Sequence, residues 1–197
     1  MRRAKYIIGI DEVGRGPLAG PVAVGAVAAT PLMLRRFRAI KESKQLSPAK
    51  REEWDKKMCD LASHELRLAV SMVSAREIDR IGITAAIRKA LAASLRKLSI
   101  DPSECEVLLD GGLSAPLSYE RQTTIIRGDA SVTAIAMASV IAKVKRDGLM
   151  VREAKRYPEY GFAAHKGYGT KTHMDALRKH GLSPLHRKSF CLFLGAT

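Results

Sequence analysis

"KYIIGIDEVGRG", residues 5–16, runs from an apolar, β-branched stretch into two adjacent acids, Asp11 and Glu12, and then into the turn Gly14-Arg15-Gly16. The apolar part, "KYIIGID" (5–11), reads as a core strand. After the glycines, "GPVAVGAVAAT" (20–30) has the same character and is placed to return antiparallel to it. The acids therefore stand where a buried strand ends, in a 197-residue chain carrying 34 Lys and Arg against 20 Asp and Glu, a formal net charge of +14.

Outward from that pair the chain alternates helical and extended patterns. "LMLRRFRAI" (32–40) reads as a short helix. "SPAKREEW" (47–54) opens a longer one, with Ser47 as N-cap and Pro48 at the first helical position. "HELRLAVSMVS" (64–74) alternates as a third strand. "AREIDRIGITAAIRKALAASLRKL" (75–98) is helical, interrupted near Gly82. "CEVLLD" (105–110) is a fourth strand ending on an acid, and "RQTTIIRG" (121–128) is a fifth. "DASVTAIAMASVIAKVKRD" (129–147) is small or apolar on every side up to Lys143, the pattern of a helix buried on most faces. "TKTHMDALRKHG" (170–181) is a last helix closed by Gly181. Three strands, then helices, then two further strand–helix units imply an α/β fold: a mixed sheet with helices on its faces.

This length fits one domain with a core that needs no staples. The three cysteines, Cys59, Cys105 and Cys191, are scattered and suggest neither disulfides nor zinc. No apolar run approaches the roughly 20 residues that span a bilayer. No signal peptide is read at the N-terminus, and a reducing cytoplasm is the expected location. From Lys143 onward there are twelve Lys and Arg, four Asp and Glu, and four of the five histidines. Such asymmetry points to a polyanionic partner, because neutralised phosphates release counterions; a merely solvated basic surface is the bland alternative.

If the first and fourth strands are parallel neighbours, Asp11 and Asp110 meet at one edge of the sheet. Glu12 joins them only if the strand is already breaking into the glycine turn, since adjacent strand residues face opposite ways. Asp129 precedes the buried helix, near its positively polarised end. Carboxylates held 4 Å apart repel by about 4 kcal/mol at an intermediate dielectric, so a cation is expected among them. With no histidine or cysteine alongside, Mg2+ or Mn2+ suits these ligands. Two such ions can clamp the attacking and leaving oxygens of a phosphoryl transfer. Each acid also has an ordinary reading, as exposed turn or N-cap; it is the combination that points to chemistry.

"GIDEVGRGPLAGPV" (9–22) closely resembles the signature of bacterial ribonuclease HII, a type 2 ribonuclease H. Further blocks follow in order: "ESKQLS" (42–47), "LLDGG" (108–112), "RGDASVTAIAMASVIAKVKRD" (127–147) and "HKGYGTKTHMDALRKHGLSPLHRKSF" (165–190). The resemblance implies an RNase H-like fold, a five-stranded mixed sheet flanked by helices. It implies a single catalytic domain over 1–197, with about 165–197 forming a helical substrate-binding part. It implies a monomeric, Mg2+- or Mn2+-dependent endonuclease that cuts the RNA strand of RNA–DNA hybrids and cuts 5′ of single ribonucleotides in duplex DNA, as in ribonucleotide excision repair. A divalent-metal-activated water would leave 5′-phosphate and 3′-hydroxyl ends.

By motif match, Asp11, Glu12, Asp110 and Asp129 are the implied catalytic and metal-binding acids. Gly14, Arg15 and Gly16 match the segment that reads the 2′-hydroxyl, and Tyr168 the tyrosine that packs on the next sugar. Lys44 and Lys143 match lysines that would touch phosphates. Asp147 and His165 are read as structural, and the remaining histidines as surface. Glu42 stands where the family usually has aspartate, and Gly82 where asparagine is common, which bears on loop packing or substrate contacts rather than on the four acids. A non-catalytic nucleic-acid-binding relative would lack one of those acids; a DNA-only nuclease of the superfamily would lack the "GRG" turn and "HKGYGT". Nothing in the sequence names a replication-clamp partner.

Overall fold

The computed structural model describes residues 4–194, so both ends of the 1–197 assignment lie outside the described residues. Five strands form one mixed sheet in the order β3-β2-β1-β4-β5. The apolar run opening the chain is β1 (Tyr6–Val13), and β2 (Val22–Ala29) and β3 (Leu66–Val73) follow antiparallel. β4 (Cys105–Asp110) lies parallel to β1, and β5 (Gln122–Ile125) parallel to β4.

Alternation along β1 sorts its side chains between two helical layers. Tyr6, Ile8 and Ile10 pack into a core with Ile87, Leu91, Leu95 and Leu98 of a long amphipathic helix. That helix, α4 (Ile83–Leu98), follows α3 (Ala75–Ile81) across Gly82. Gly82 has φ 80° and ψ 155°, a conformation open to little but glycine, which explains the interruption between the two. On the other face lies α6 (Thr133–Glu153), together with α1 (Pro31–Arg36) and α2 (Pro48–Asp60), around Phe37, Met58, Met137 and Ile141. The hydroxyl of Ser47 caps α2, accepting from the Lys50 amide at 3.2 Å.

No side chains separate α6 from the sheet where they cross. A Cβ on Gly9 would sit 2.0 Å from the Ala134 carbonyl carbon, and one on Gly25 2.3 Å from the Ala138 oxygen. Helix and strands touch backbone to backbone there, which the small residues of both allow.

The structure corrects two expectations. Residues 129–147 are not one helix: a short turn, α5 (Gly128–Ser131), is split from α6 by Val132, whose extended backbone (φ −119°, ψ 114°) breaks the ladder, and α6 runs on to Glu153. Nor does β1 break before Glu12. It stays paired with β2 through Val13, whereas its pairing with β4 stops at Ile10–Leu109, so Asp11 stands level with the last residue of β4 and Glu12 beyond it.

The C-terminal part carries α7 (Phe162–His165) and α8 (Lys171–His180), packed with the end of α6 around Met150, Tyr160, Phe162 and Leu177. Gly181, at φ 73°, ends α8 where expected. Among the described residues, no helix is long and apolar enough to cross a membrane.

Candidate active site

The register that pairs Ile10 with Leu109 carries Asp11 and Asp110 side by side at the same sheet edge. Asp11, only 5% exposed, faces α6 and is hydrogen-bonded to the Ser139 hydroxyl. That hydroxyl lies 2.8 Å from the Ser43 hydroxyl, tying β1, α6 and the 43–45 turn together. Asp110 accepts the Gly128 amide at 2.7 Å, which holds the start of α5 against the end of β4 and brings Asp129 alongside.

These elements enclose a cleft of about 260 Å³. All ten residues singled out from the sequence line it: Asp11, Glu12, Asp110 and Asp129; Gly14, Arg15 and Gly16; and Lys44, Lys143 and Tyr168. Val13, Ser43 and Ser139 complete the lining, and sequence reasoning missed both serines. Ser139 stands ten residues after Asp129, on the helix face that meets Asp11; that spacing was the available signal.

The electrostatics are those of crowded carboxylates. Burial pushes the Asp11 carboxyl up to about 7, and the charges of Asp110, Glu12 and Asp129 push the same way against the Ser139 hydrogen bond. Glu12 is raised by burial, opposed by the Arg15 guanidinium 3.6 Å away. Asp129 is raised by burial, by Asp110 and by a hydrogen bond shared with Glu42, while Lys44 opposes the shift. Glu42, the residue that departs from the family pattern, thus reaches into the acid group rather than only packing its own loop. Among the described residues, no three Asp, Glu, His or Cys side chains are gathered closely enough as they stand to hold a metal ion. The donor chemistry nevertheless fits a hard divalent cation: four carboxylates and no soft ligand.

The 14–16 turn and Tyr168 form a second part of the cleft wall. Gly14 has φ 89°, and a Cβ there would lie 2.1 Å from Arg146 Nε, so only glycine fits. Tyr168 is 42% exposed, its ring facing Lys143 Nζ at 5.8 Å and the Arg146 guanidinium at 5.9 Å. Lys143 is held by Asp147 at 3.0 Å, so Asp147 orients a cleft lysine without lining the cleft itself. His165 is a hydrogen-bonded structural residue, its Nε2 2.7 Å from the Tyr160 carbonyl.

The expectation that the remaining histidines are surface residues fails for two of them. His173 and His186 are fully or almost fully buried and 2.9 Å apart, Nε2 to Nε2. Sequence reasoning also passed over Arg146 and Arg187, both wholly buried. Their signal was faint, since each sits in a run of basic residues that reads as solvated.

The ribonuclease HII family model matches residues 8–193. A ribonuclease HII of Coxiella burnetii is 44% identical over 184 residues, 93% of this chain and 87% of the relative. Among solved structures, the ribonuclease H2 of Pyrococcus horikoshii shares the fold, with TM-score 0.78 at 24% identity over 96% of each chain. So does Bst-RNase HIII in complex with Mn2+, with TM-score 0.73 at 20% identity over 95% of this chain and 68% of that one. A sheet that sets acids from two parallel strands at one edge, under a family match nearly as long as the chain, leads to one conclusion: the chain belongs to the ribonuclease HII family, ribonucleases H that cut the RNA strand of RNA–DNA hybrids.

Proposed function

We propose that this ribonuclease H also cuts 5′ of single ribonucleotides embedded in duplex DNA, leaving 5′-phosphate and 3′-hydroxyl ends. The observation that carries the reading is one cleft lined together by the four carboxylates, the 14–16 turn and Tyr168. Asp11, Glu12, Asp110 and Asp129 would hold divalent cations, Mg2+ or Mn2+, and the Mn2+ complex of the RNase HIII neighbour supports that assignment. Bound there, such ions supply an activated water and neutralise charge at the phosphate.

The chain's own residues do the rest. The backbone of Gly14 and Gly16 lets a sugar approach closely, and a 2′-hydroxyl is what separates RNA from DNA at a site. The Tyr168 face packs on the next sugar and crowds out a second hydroxyl, so the cleft favours an RNA-to-DNA junction. Arg15 counters Glu12 across the turn, 3.6 Å away. Lys44 and Lys143 meet the phosphates beside the cut. The basic surface of about residues 165–197 holds the duplex backbone and adds affinity without sequence preference. We place the enzyme, a monomer, in the cytoplasm.

The test uses one duplex with a single ribonucleotide and an all-DNA control, each with and without chelator. Cleavage should occur only at the ribonucleotide and only without chelator. Asp110→Asn should lower the cleavage rate by about 10³-fold or more while duplex binding persists, as for a group acting on the reacting centre. Wild-type cleavage by that variant would remove the acids from the mechanism.

A further inference from the structure

The wall that carries the 14–16 turn and Tyr168 is fastened from behind by one dipeptide, His186-Arg187. Arg187 is wholly buried and spends its guanidinium on three carbonyls: Gly14 at 2.7 Å, Arg15 at 2.9 Å and Gly20 at 3.0 Å. Two of these belong to the 14–16 turn itself. An arginine fork can hold several acceptors in one fixed plane, which a lysine cannot do.

His186 reaches the other reader through His173. The Ser183 amide donates to His186 Nδ1 at 2.9 Å, so the proton of neutral His186 sits on Nε2. His173 Nδ1 lies 2.9 Å from the Tyr168 carbonyl, which can only accept, so the proton of neutral His173 sits on Nδ1. The remaining contact, 2.9 Å between the two Nε2 atoms, is then a donation from His186 to His173. A single direction of hydrogen bonding runs from Ser183 through both rings to the backbone of Tyr168.

Backbone bonds join the two halves. Ala19 bridges to His186, the Arg187 amide donates to the Leu18 carbonyl, and the Leu18 amide donates to Gly167. Segment 18–20 is thus clasped between the dipeptide and the tyrosine loop.

We infer that His186 and Arg187 are positioning residues for substrate choice: together they fix the spacing between the 14–16 turn and Tyr168, and so set how strictly the cleft demands a 2′-hydroxyl on one nucleotide and none on the next. This rests on the reading of those two elements as sugar contacts. Neither side chain touches substrate; both act through backbone that does.

The experiment compares kcat/KM on a duplex with one embedded ribonucleotide and on an all-RNA/DNA hybrid, for wild type, His186→Phe, His186→Gln, Arg187→Lys and Tyr168→Ala, with melting of each. His186→Phe keeps the ring against Tyr160 but removes both nitrogens. Arg187→Lys keeps the charge and loses the fork, and it decides the matter should His186→Phe fail to fold. Both should lower the ratio of single-ribonucleotide to hybrid cleavage by about tenfold, the equivalent of about 1.4 kcal/mol. His186→Gln, whose amide N–H can stand in for Nε2, should keep the ratio within about threefold of wild type. Equal loss on both substrates in step with melting would reduce the dipeptide to a stability element and overturn the inference. Were the ratio in Tyr168→Ala the same as in wild type, the sugar reading itself would fall, a separate outcome.

Discussion

The two walls of the cleft are held in place by opposite means. Behind the acids, α6 meets β1 and β2 backbone to backbone at Gly9 and Gly25, and precision comes from that contact. Behind the 14–16 turn and Tyr168, direct backbone hydrogen bonds are supplemented by buried arginine and histidine side chains that end on carbonyls. The first arrangement can change only by moving backbone; the second can also be altered by changing a side chain, at the cost of burying charge. A site that must keep carboxylates together against their repulsion needs the rigid support. On the proposed reading, a wall that compares one sugar with the next can be set by hydrogen bonds.

The sharpest way to break that contrast is to add one methyl group to the rigid wall. In Gly9→Ala the new Cβ would meet the Ala134 carbonyl carbon at 2.0 Å, and backbone cannot rotate away. Overpacking of this kind should cost about 3 kcal/mol or more, and for a chain of this size roughly 6–12 °C in Tm. Asp11 lies two residues along, so cleavage of every substrate should fall together. Thermal melting and a two-substrate assay check this; a variant that melts like wild type would mean that helix and strand are not in contact.

Arg146→Met probes the adjustable wall and should cost less. It strands the carbonyls of Pro21, Lys166 and Ala19, which Arg146 now bonds at 2.9, 3.1 and 3.3 Å. Relief of a buried cation offsets part of that, leaving a net loss of about 2–4 kcal/mol in denaturant unfolding. The gap opens under Gly14, so single-ribonucleotide cleavage should suffer more than hybrid cleavage. Equal losses on both substrates would place Arg146 with the rigid wall.

The same division governs how much could be read from sequence. The strands, the Ser47 cap and the break at Gly82 follow from local pattern, because apolar period and glycine placement express themselves within a few residues; the meeting of Asp11 with Asp110 followed only on the condition that the first and fourth strands are parallel neighbours. The four acids were legible as a set only because "GIDEVGRG", "LLDGG" and "RGDAS" sit in a known order. Val132 was not legible as a break, since β-branched residues in an apolar run do not announce a kink. Arg146, His173, His186 and Arg187 were illegible for a different reason. Their partners lie up to 173 residues away, and nothing in "KVKRD" or "SPLHRKSF" separates a buried base from a solvated one.

The smallest effect separates the walls by proton uptake. Burial lowers His186 to about 4, and the charge it would share with His173 pushes the same way; His173 is itself lowered, by burial first. Unfolded, both titrate near 6.5. Between about pH 6.5 and 4 the unfolded chain therefore binds more protons at these sites, and their contribution to stability is lost as pH falls through that window. Asp11 runs the other way: raised to about 7, it holds a proton in the folded protein that the unfolded chain releases above about 4, so its contribution falls as pH rises toward 7. In chelator the two slopes oppose and the net profile should be shallow. His186→Gln removes one, so stability should rise more steeply on acidification from pH 7 to 5 than in wild type; Asp11→Asn removes its share of the other, so stability should rise less than in wild type, with Glu12 and Asp129, also raised, still opposing the histidines. Denaturant midpoints at pH 5, 6 and 7 separate them. Parallel profiles for the two variants would mean that the histidine pair is not buried neutral, and the tautomers assigned to it would fall.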